Sequence, residues 1–375
     1  MGEQIVKILV TGACGFIGKN LIRRLESIDG MIIYPYDVDT DPKKLSEYAT
    51  DCDIVFHLAG INRPEREEEF MEGNFGFTGD LLKALDDAGN GKVKVVVSSS
   101  IQAELDNPYG VSKKAGEELV IDHAKKCGAR AVIYRFPNVF GKWCRPNYNS
   151  AVATFCNNIA RGLPIKVNDP EVILRLVYID DVVDELMLCM DDREHVENGY
   201  GYVPCVYEVK LGKIPELLYS FVETRKNFSL PDFSDGFEKK LYSTYLSYIP
   251  EDDYSYPLIM HEDERGSFTE FLKTPDRGQV SVNISHPGIV KGNHWHNTKN
   301  EKFLVVKGKG LIRLRKIGEE KVIEYHVSGD KLEVVDIPCG YTHDITNVGD
   351  EDMVTVMWVN EVFDPEKADT YHEEV

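Results

Sequence analysis

Short β-branched runs alternate with longer amphipathic segments through the first half of this chain, and short alternating runs with no helical period fill its last third. From Ile5 to about Met190 the runs Ile5–Val10, Met31–Tyr36, Ile54–Leu58, Val93–Ser98 and Ala131–Phe136 predict strands. The segments Gly15–Leu25, Thr78–Ala88, Tyr109–Cys127 and Ala151–Arg161 predict helices. That alternation marks a parallel sheet with crossover helices, a Rossmann-type doubly wound α/β fold. Another helix is expected over Ile214–Phe228, after which Ser229–Pro257 turns polar, aromatic and proline-marked. A domain boundary is expected there, near Pro250, dividing the chain into 1–250 and 251–375. Beyond it come eight short runs: Ser267–Phe271, Val280–Ser285, Lys302–Lys307, Leu311–Lys316, Val322–Val327, Leu332–Ile337, His343–Asn347 and Met353–Val359. Separated by Gly, Asn and Asp, they predict an all-β jelly roll or similar closed fold.

The length of 375 residues agrees with two domains, each large enough for its own core. A formal net charge of -20 excludes the positive footprint that nucleic acid or an anionic membrane surface requires. The eight cysteines are scattered and include no C-x-x-C pair, the usage of a reducing cytoplasm. No run approaches the ~18 apolar residues of a membrane span, and no apolar leader precedes the first strand, so neither export nor anchoring is expected.

Two stretches carry chemistry in the first half. Thr11-Gly12-Ala13-Cys14-Gly15-Phe16-Ile17-Gly18 follows a strand and opens a helix. Side-chain-free positions there let backbone amides and a helix N-terminus meet a pyrophosphate, which makes Gly12, Gly15, Phe16, Ile17 and Gly18 candidate cofactor contacts. About twenty residues on, Asp37 ends the second strand, where a carboxylate accepts hydrogen bonds from an adenosine ribose and repels a 2′-phosphate. It thereby favours NADH over NADPH. The second stretch is Tyr109-Gly-Val-Ser-Lys113, preceded by the serines Ser98, Ser99 and Ser100 at a strand end. Four-residue spacing stacks Tyr109 and Lys113 on one helix face, and a nearby ammonium eases loss of the phenolic proton. Lys142, Arg145 and Arg175 are candidate diphosphate contacts, because cations after the Pro137-Asn138 turn can pair with phosphate oxygens.

The second half carries Gly-x5-His294-x-His296-x4-Glu301-x6-Gly308, followed by Pro338-x-Gly340-x2-His343-x3-Asn347. On a strand, His294 and His296 share a face. Three imidazoles and a carboxylate suit Zn2+ and by ligand type also admit Fe2+, Mn2+ or Ni2+. The spacing matches both halves of the cupin signature. His261, His286, His326 and Tyr341 are given no role.

With these motifs in place, residues 1 to about 245 resemble the extended short-chain dehydrogenase/reductases that act on nucleotide sugars. His57-Leu58-Ala59-Gly60 is similar to the segment that lines the cofactor there, as are Asn74 and Arg135-Phe-Pro137-Asn138-Val-Phe140-Gly141, and Tyr178-Ile-Asp-Asp-Val182 matches a further landmark. The resemblance implies cofactor contacts at Leu58, Ala59, Gly60, Asn74, Ser98, Lys113 and Pro137, a substrate contact at Asn138, and the catalytic hydroxyl at Ser100. A reductase fused to a cupin is similar as a whole to the bifunctional CapF family of capsular polysaccharide enzymes. The resemblance then implies a cytoplasmic homodimer acting on a UDP-linked 4-keto-6-deoxy-N-acetylhexosamine, epimerising C3 in the cupin and reducing C4 with NADPH. NADPH and NADH both stay open against Asp37. Two other readings stand beside this one: a 4-epimerase or dehydratase that retains its cofactor, with the cupin as an oligomerisation module, and an inactive sugar-nucleotide sensor.

Overall fold

The β-branched runs of the first half lie side by side because the central ones are buried on both faces and need helices above and below, whereas β2 lies at the edge and is partly exposed. The computed structural model describes residues 5–274 and 276–375. In chain order the first elements are β1 (Val6–Thr11), α1 (Phe16–Leu25), β2 (Met31–Tyr36), α2 (Lys43–Ala49), β3 (Ile54–His57), α3 (Glu68–Phe70), α4 (Phe77–Asp87), β4 (Lys94–Ser100), α5 (Pro108–Cys127) and β5 (Ala131–Phe136). There follow β6 (Asn138–Phe140), α6 (Ala151–Ala160), β7 (Ile173–Tyr178), α7 (Ile179–Leu188), β8 (Val196–Glu197), β9 (Tyr200–Gly201), β10 (Tyr207–Lys210), α8 (Lys213–Asn227) and α9 (Gly236–Leu246). The main sheet runs β2-β1-β3-β4-β5-β9-β8, and β1 to β5 are parallel. Its strand order reverses at β1, so the crevice past the carboxyl ends of β1 and β3 is where such sheets take ligands. One core, with Ile8, Val10, Phe56, Val96 and Tyr134, packs on one face of this sheet; another, with Leu9, Val55, Leu81, Val95 and Ile133, packs on the other. A smaller sheet, β10-β7-β6, carries the segment after Pro137.

Two departures from the expected pattern concern the stretch after Ile214. The segment from Ser229 to Pro257 is not plain linker, because α9 forms within it, capped by the Asp235 carboxylate on the Phe237 and Glu238 amides. The contacts also divide the chain differently from a single cut. Residues up to Tyr219 and Phe233–Pro250 form one unit, and Ser220–Asp232 with Glu251 onward form the other.

The second unit contains β11 (Met260–Asp263), β12 (Gly266–Thr274), β13 (Gly278–Ser285), β14 (Val290–Trp295), β15 (Glu301–Lys307), β16 (Lys309–Lys316), β17 (Val322–Ser328), β18 (Val334–Ile337), β19 (Tyr341–Asn347), β20 (Met353–Val359) and β21 (Tyr371–His372). They form two antiparallel sheets, β11-β12-β13-β20-β15-β18 and β17-β16-β19-β14-β21. Phe303, Val305, Ile312, Leu314, Ile345 and Met353 pack between them. The inner face is not apolar throughout. Phe303 and Val305 lie opposite Met357 and Thr355 on β20, which in turn lie opposite Ser281 and Asn283 on β13. Gln279, Ser281, Asn283, Ser285 and Thr355 are therefore a buried polar row on the side that faces the apolar core. Among the described residues no helix is long and apolar enough to cross a membrane.

Candidate active site and metal centre

The glycine loop of the first unit is tight for reasons visible atom by atom. Gly12 has φ +69°, and a Cβ there would lie 2.7 Å from the Ala59 amide nitrogen; at Gly18 it would lie 2.1 Å from the Gly12 carbonyl oxygen. Gly15 is the N-cap of α1 and supplies no side chain to its free amides, so these remain for an anion. Phe16 and Ile17 open the helix. Asp37, just beyond β2, accepts from the Cys14 amide at 2.7 Å and the Val38 amide at 2.8 Å, which holds its carboxylate against the loop. Leu58 and Ala59 follow β3 beside Gly12, and a Cβ on Gly60 would meet Asn74 Oδ1 and Lys113 Nζ, both at 2.8 Å. Asn74 lies in a π-helical turn, Met71–Gly76, and pairs with both backbone groups of Ile61 at 2.9 Å while donating to Ser112 Oγ at 3.0 Å. Glycine loop, Asp37, Leu58–Gly60, Asn74 and Lys113 thus converge.

Tyr109 and Lys113 lie at the start of α5, whose N-cap Asn107 accepts from the Gly110 amide at 2.8 Å. The link back to Ser100 is short, a single 3-10 turn over Ile101–Glu104, and Gly110 allows it to fold tightly. A Cβ at Gly110 would stand 2.2 Å from the Gln102 carbonyl oxygen and 2.5 Å from that of Leu105. Strand alternation sorts the three serines. Ser99 donates to the buried Glu117 carboxylate, itself held by Arg135, so it is committed to a structural pair. Ser98 and Ser100 share the opposite face; the Ser98 carbonyl accepts from Lys113 Nζ at 3.0 Å, and Ser100 Oγ accepts from the Gln102 amide at 3.2 Å. Burial raises the Tyr109 phenol above its ordinary range, and the Ser100 hydroxyl draws it part of the way back. Burial lowers Lys113 to about 8, against the Glu117 charge. The balance at Tyr109 is set by burial rather than by an ammonium, which corrects the expectation of an eased phenolate. The phenol stays protonated, the form that donates.

Asn138 and Arg175 are neighbours on the small sheet, with Asn138 Nδ2 3.4 Å from the Arg175 carbonyl oxygen. Lys142 and Arg145 follow in the loop after β6. Lys142 is paired with Asp180 at 2.6 Å, Arg175 lies 3.9 Å from Glu208, and Arg145 stacks 4.9 Å over the Tyr148 ring. Pro137 joins β5 to β6.

In the second unit, His294 lies opposite His343 across β14 and β19, beside a bulge at Asn293 with φ +59°. His296 lies one residue beyond β14 and still enters the interior. Glu301 begins β15 on the other sheet, so the set bridges both layers. Ligand atoms of His294, His296, Glu301 and His343 all lie within 4.8 Å of one another. His343 Nε2 stands 3.1 Å and His296 Nε2 3.8 Å from Glu301 Oε2, yet these three buried atoms form no properly aligned hydrogen bond. Three orphaned polar atoms at one point are costly unless a cation takes them, so the donors fit a divalent metal. Burial and the neighbouring His343 lower His294 to about 4; at Glu301 burial is outweighed by His296 and His343, which hold it at about 2.

Residues 8–203 match the NAD dependent epimerase/dehydratase family, and residues 261–371 match the polysaccharide biosynthesis C-terminal domain. The solved structure of the capsular polysaccharide assembling protein CapF from Staphylococcus aureus superposes with a TM-score of 0.93 at 55% identity, covering 98% of this chain and all of that one. The chain belongs to the CapF family. As such it is a nicotinamide-dependent enzyme with a Rossmann-like unit followed by a cupin-like one. A CapF-length relative in Pseudomonas aeruginosa strain PA103, the UDP-2-acetamido-2,6-beta-L-arabino-hexul-4-ose reductase, is 46% identical over 98% of both chains. A UDP-N-acetylglucosamine 4-epimerase from Methanobrevibacter ruminantium M1, with a TM-score of 0.55 at 19% identity, shares the fold of part of this CapF-family chain.

Sequence reading missed the groups that support these sites. His57 is fully enclosed between Thr11 Oγ1 and Thr78 Oγ1, each at 2.8 Å, and burial with the Lys113 charge lowers it to about 3. The His296 Nδ1 proton is taken by the Asp369 carbonyl, while the Asp369 carboxylate accepts from the amides of Asn297, Thr298 and Lys299. Nothing in the local sequence announces Asp369, which lies seventy or more positions away from them. Ser99 was legible, because alternation along β4 turns it away from Ser98 and Ser100.

Proposed function

We propose that this CapF-family chain is a bifunctional enzyme of UDP-sugar metabolism. Its substrate on this reading is a UDP-4-keto-6-deoxy-N-acetylhexosamine. The cupin, 251–375, inverts C3, and the reductase, 1–250, then reduces the C4 ketone. The product is UDP-N-acetyl-6-deoxy-L-talosamine, on the route to UDP-N-acetyl-L-fucosamine for capsule or O-antigen. The observation that carries the reading is the buried Tyr109 phenol next to Ser100 on a helix that also brings Lys113 to Gly60. A full-length relative named as a reductase of a 4-ulose nucleotide supports it.

NADPH or NADH, once bound, supplies the hydride for C4. The chain's own part is to hold the ketone oxygen between Ser100 and Tyr109, and to pass the Tyr109 proton to that oxygen as the alcohol forms. Lys113 orients the ribose from the floor of the crevice, and Asp37 meets the adenosine hydroxyls. Asn138, Lys142, Arg145 and Arg175 serve the UDP-sugar side. In the cupin, His294, His296, Glu301 and His343 would hold one Zn2+ or similar ion, whose chemistry there would be to polarise a substrate carbonyl and so acidify the adjacent carbon. The buried polar row of β13 and β20 gives a sugar hydroxyl partners that an apolar barrel would lack. The order of steps follows from the chemistry, since the C4 ketone acidifies the C3 proton and its reduction then fixes the new stereocentre. The reading includes a homodimer at work in the cytoplasm.

The test is NMR in D2O with the 4-keto sugar nucleotide, with and without NADPH. Deuterium should enter C3 without reductant, and the C4 alcohol should appear only with it. A cofactor-retaining 4-epimerase would instead turn over without consuming reduced nicotinamide, and a sensor would give neither signal.

A further inference from the structure

Apart from the residues of either site, three side chains of different ligand type meet at the ends of two helices in the first unit. Asp86 is the penultimate residue of α4, and His123 and Cys127 stand one turn apart at the end of α5. Their ligand atoms all lie within 4.8 Å of one another. His123 Nδ1 is 3.7 Å from the Asp86 carboxylate and 3.9 Å from Cys127 Sγ, and the thiol donates to Asp86 Oδ1 at 3.5 Å. His123 is buried, with Nε2 3.1 Å from the Gly91 carbonyl oxygen. A carbonyl only accepts, so Nε2 carries a proton and Nδ1 is the nitrogen that faces Asp86 and Cys127, the one whose lone pair can take a metal. Metal-bound imidazoles are held in this way, with the far nitrogen donating to a backbone carbonyl. The negative ends of both helix dipoles also face the cluster and favour a cation. Lys126 lies 4.0 Å from the Asp86 carboxylate, but its side chain is 78% exposed and free to swing into solvent.

We propose that Asp86, His123 and Cys127 form a second divalent-metal site of the Zn2+ class, with solvent completing the coordination. On binding, the Cys127 S–H proton passes to water and a thiolate–metal bond replaces it. The ion would tie the far end of α5, the helix that carries Tyr109 and Lys113, to its neighbour α4. The proposal is independent of the function assigned above.

The barrel set contains no sulfur, which gives a spectroscopic test on the intact protein. Co2+ is titrated into wild type, Cys127→Ser and His123→Gln, and the thiolate-to-cobalt charge-transfer band is followed, then its loss when Zn2+ is added. The expected result is a saturable band at one equivalent in wild type, absent from both variants, while the d–d absorption of the barrel site persists in all three. A His343→Ala background should retain the thiolate band and one bound Zn2+. No charge-transfer band in wild type at excess Co2+, or a band undiminished in Cys127→Ser, overturns the site; the second outcome assigns the sulfur to another of the free cysteines.

Discussion

Adding one methyl group at Gly110 tests whether the short connection sets the position of the Tyr109 phenol. The new Cβ would lie 2.2 Å from the Gln102 carbonyl oxygen and 2.5 Å from that of Leu105, where ordinary contact begins at 3.4 Å. Both obstacles are backbone, so no side chain can rotate aside. The start of α5 and the 3-10 turn must separate by about 1 Å, and overpacking of this kind costs ~1–3 kcal/mol of stability. Helix propensity alone predicts the opposite sign, since alanine in a helix interior is favoured over glycine by about 1 kcal/mol. Gln102 also donates its amide to Ser100 Oγ, so the strain reaches both Ser100 and Tyr109, the pair proposed to hold the ketone. A misplacement of roughly 1 Å can cost about a hundredfold in rate, which is ~2.7 kcal/mol in the barrier. The assay is the initial rate of reduced-nicotinamide oxidation at saturating 4-keto sugar nucleotide, run beside a thermal melt and C3 deuterium exchange. Gly110→Ala should lower kcat by about that factor and lower Tm, while exchange in the cupin is unchanged. A folded variant with wild-type kcat, or one that gains stability, would show that the turn does not position Tyr109.

Tyr109→Phe should abolish nicotinamide oxidation and leave C3 exchange intact; equal loss of both in a folded protein would mean that the two chemistries are not divided between the units. Asp37 should keep NADH competitive with NADPH, and a measured preference for NADPH above roughly a hundredfold, ~2.7 kcal/mol, would place its carboxylate away from the ribose. The barrel set should hold near-stoichiometric divalent metal, lost on His343→Ala, and a folded wild type that stays metal-free at this set with Zn2+ present would sink the ligand assignment. Lys113 binds its proton less tightly folded, at about 8, than at the ordinary 10.5, so the unfolded chain holds more protons between those values and stability from this group rises with pH across that window. Below pH 8 the buried ammonium costs up to roughly 3 kcal/mol. Lys113→Met should therefore raise Tm at pH 7 while losing activity, and the gain should fade as pH approaches 10.5; a gain independent of pH would refute the burial argument.

Much of this protein was written in local order. Alternation of buried runs with amphipathic segments announced β1 to β5 and the helices α1, α4 and α5, while α2 and α3 went unannounced. Two-residue alternation announced the barrel. Gly12, Gly15 and Gly18 were legible as a tight loop opening a helix, and Tyr109 and Lys113 as one helix face, since each motif lies within a few residues of chain. That His294, His296, Glu301 and His343 come together was legible as well, from their spacing in two short motifs. What the sequence did not disclose depends on neighbours far away along the chain. The helix α9 lay hidden in a proline-marked stretch, and Asp369 closes on His296 only when β21 completes its sheet. The phenol of Tyr109 is raised because packing removes water from it, and no residue pattern measures that. Spacing along the chain thus determined which groups face one way, and tertiary packing set the proton balance of each through burial and the groups brought beside it, because desolvation depends on every atom around a site and not on its place in the sequence.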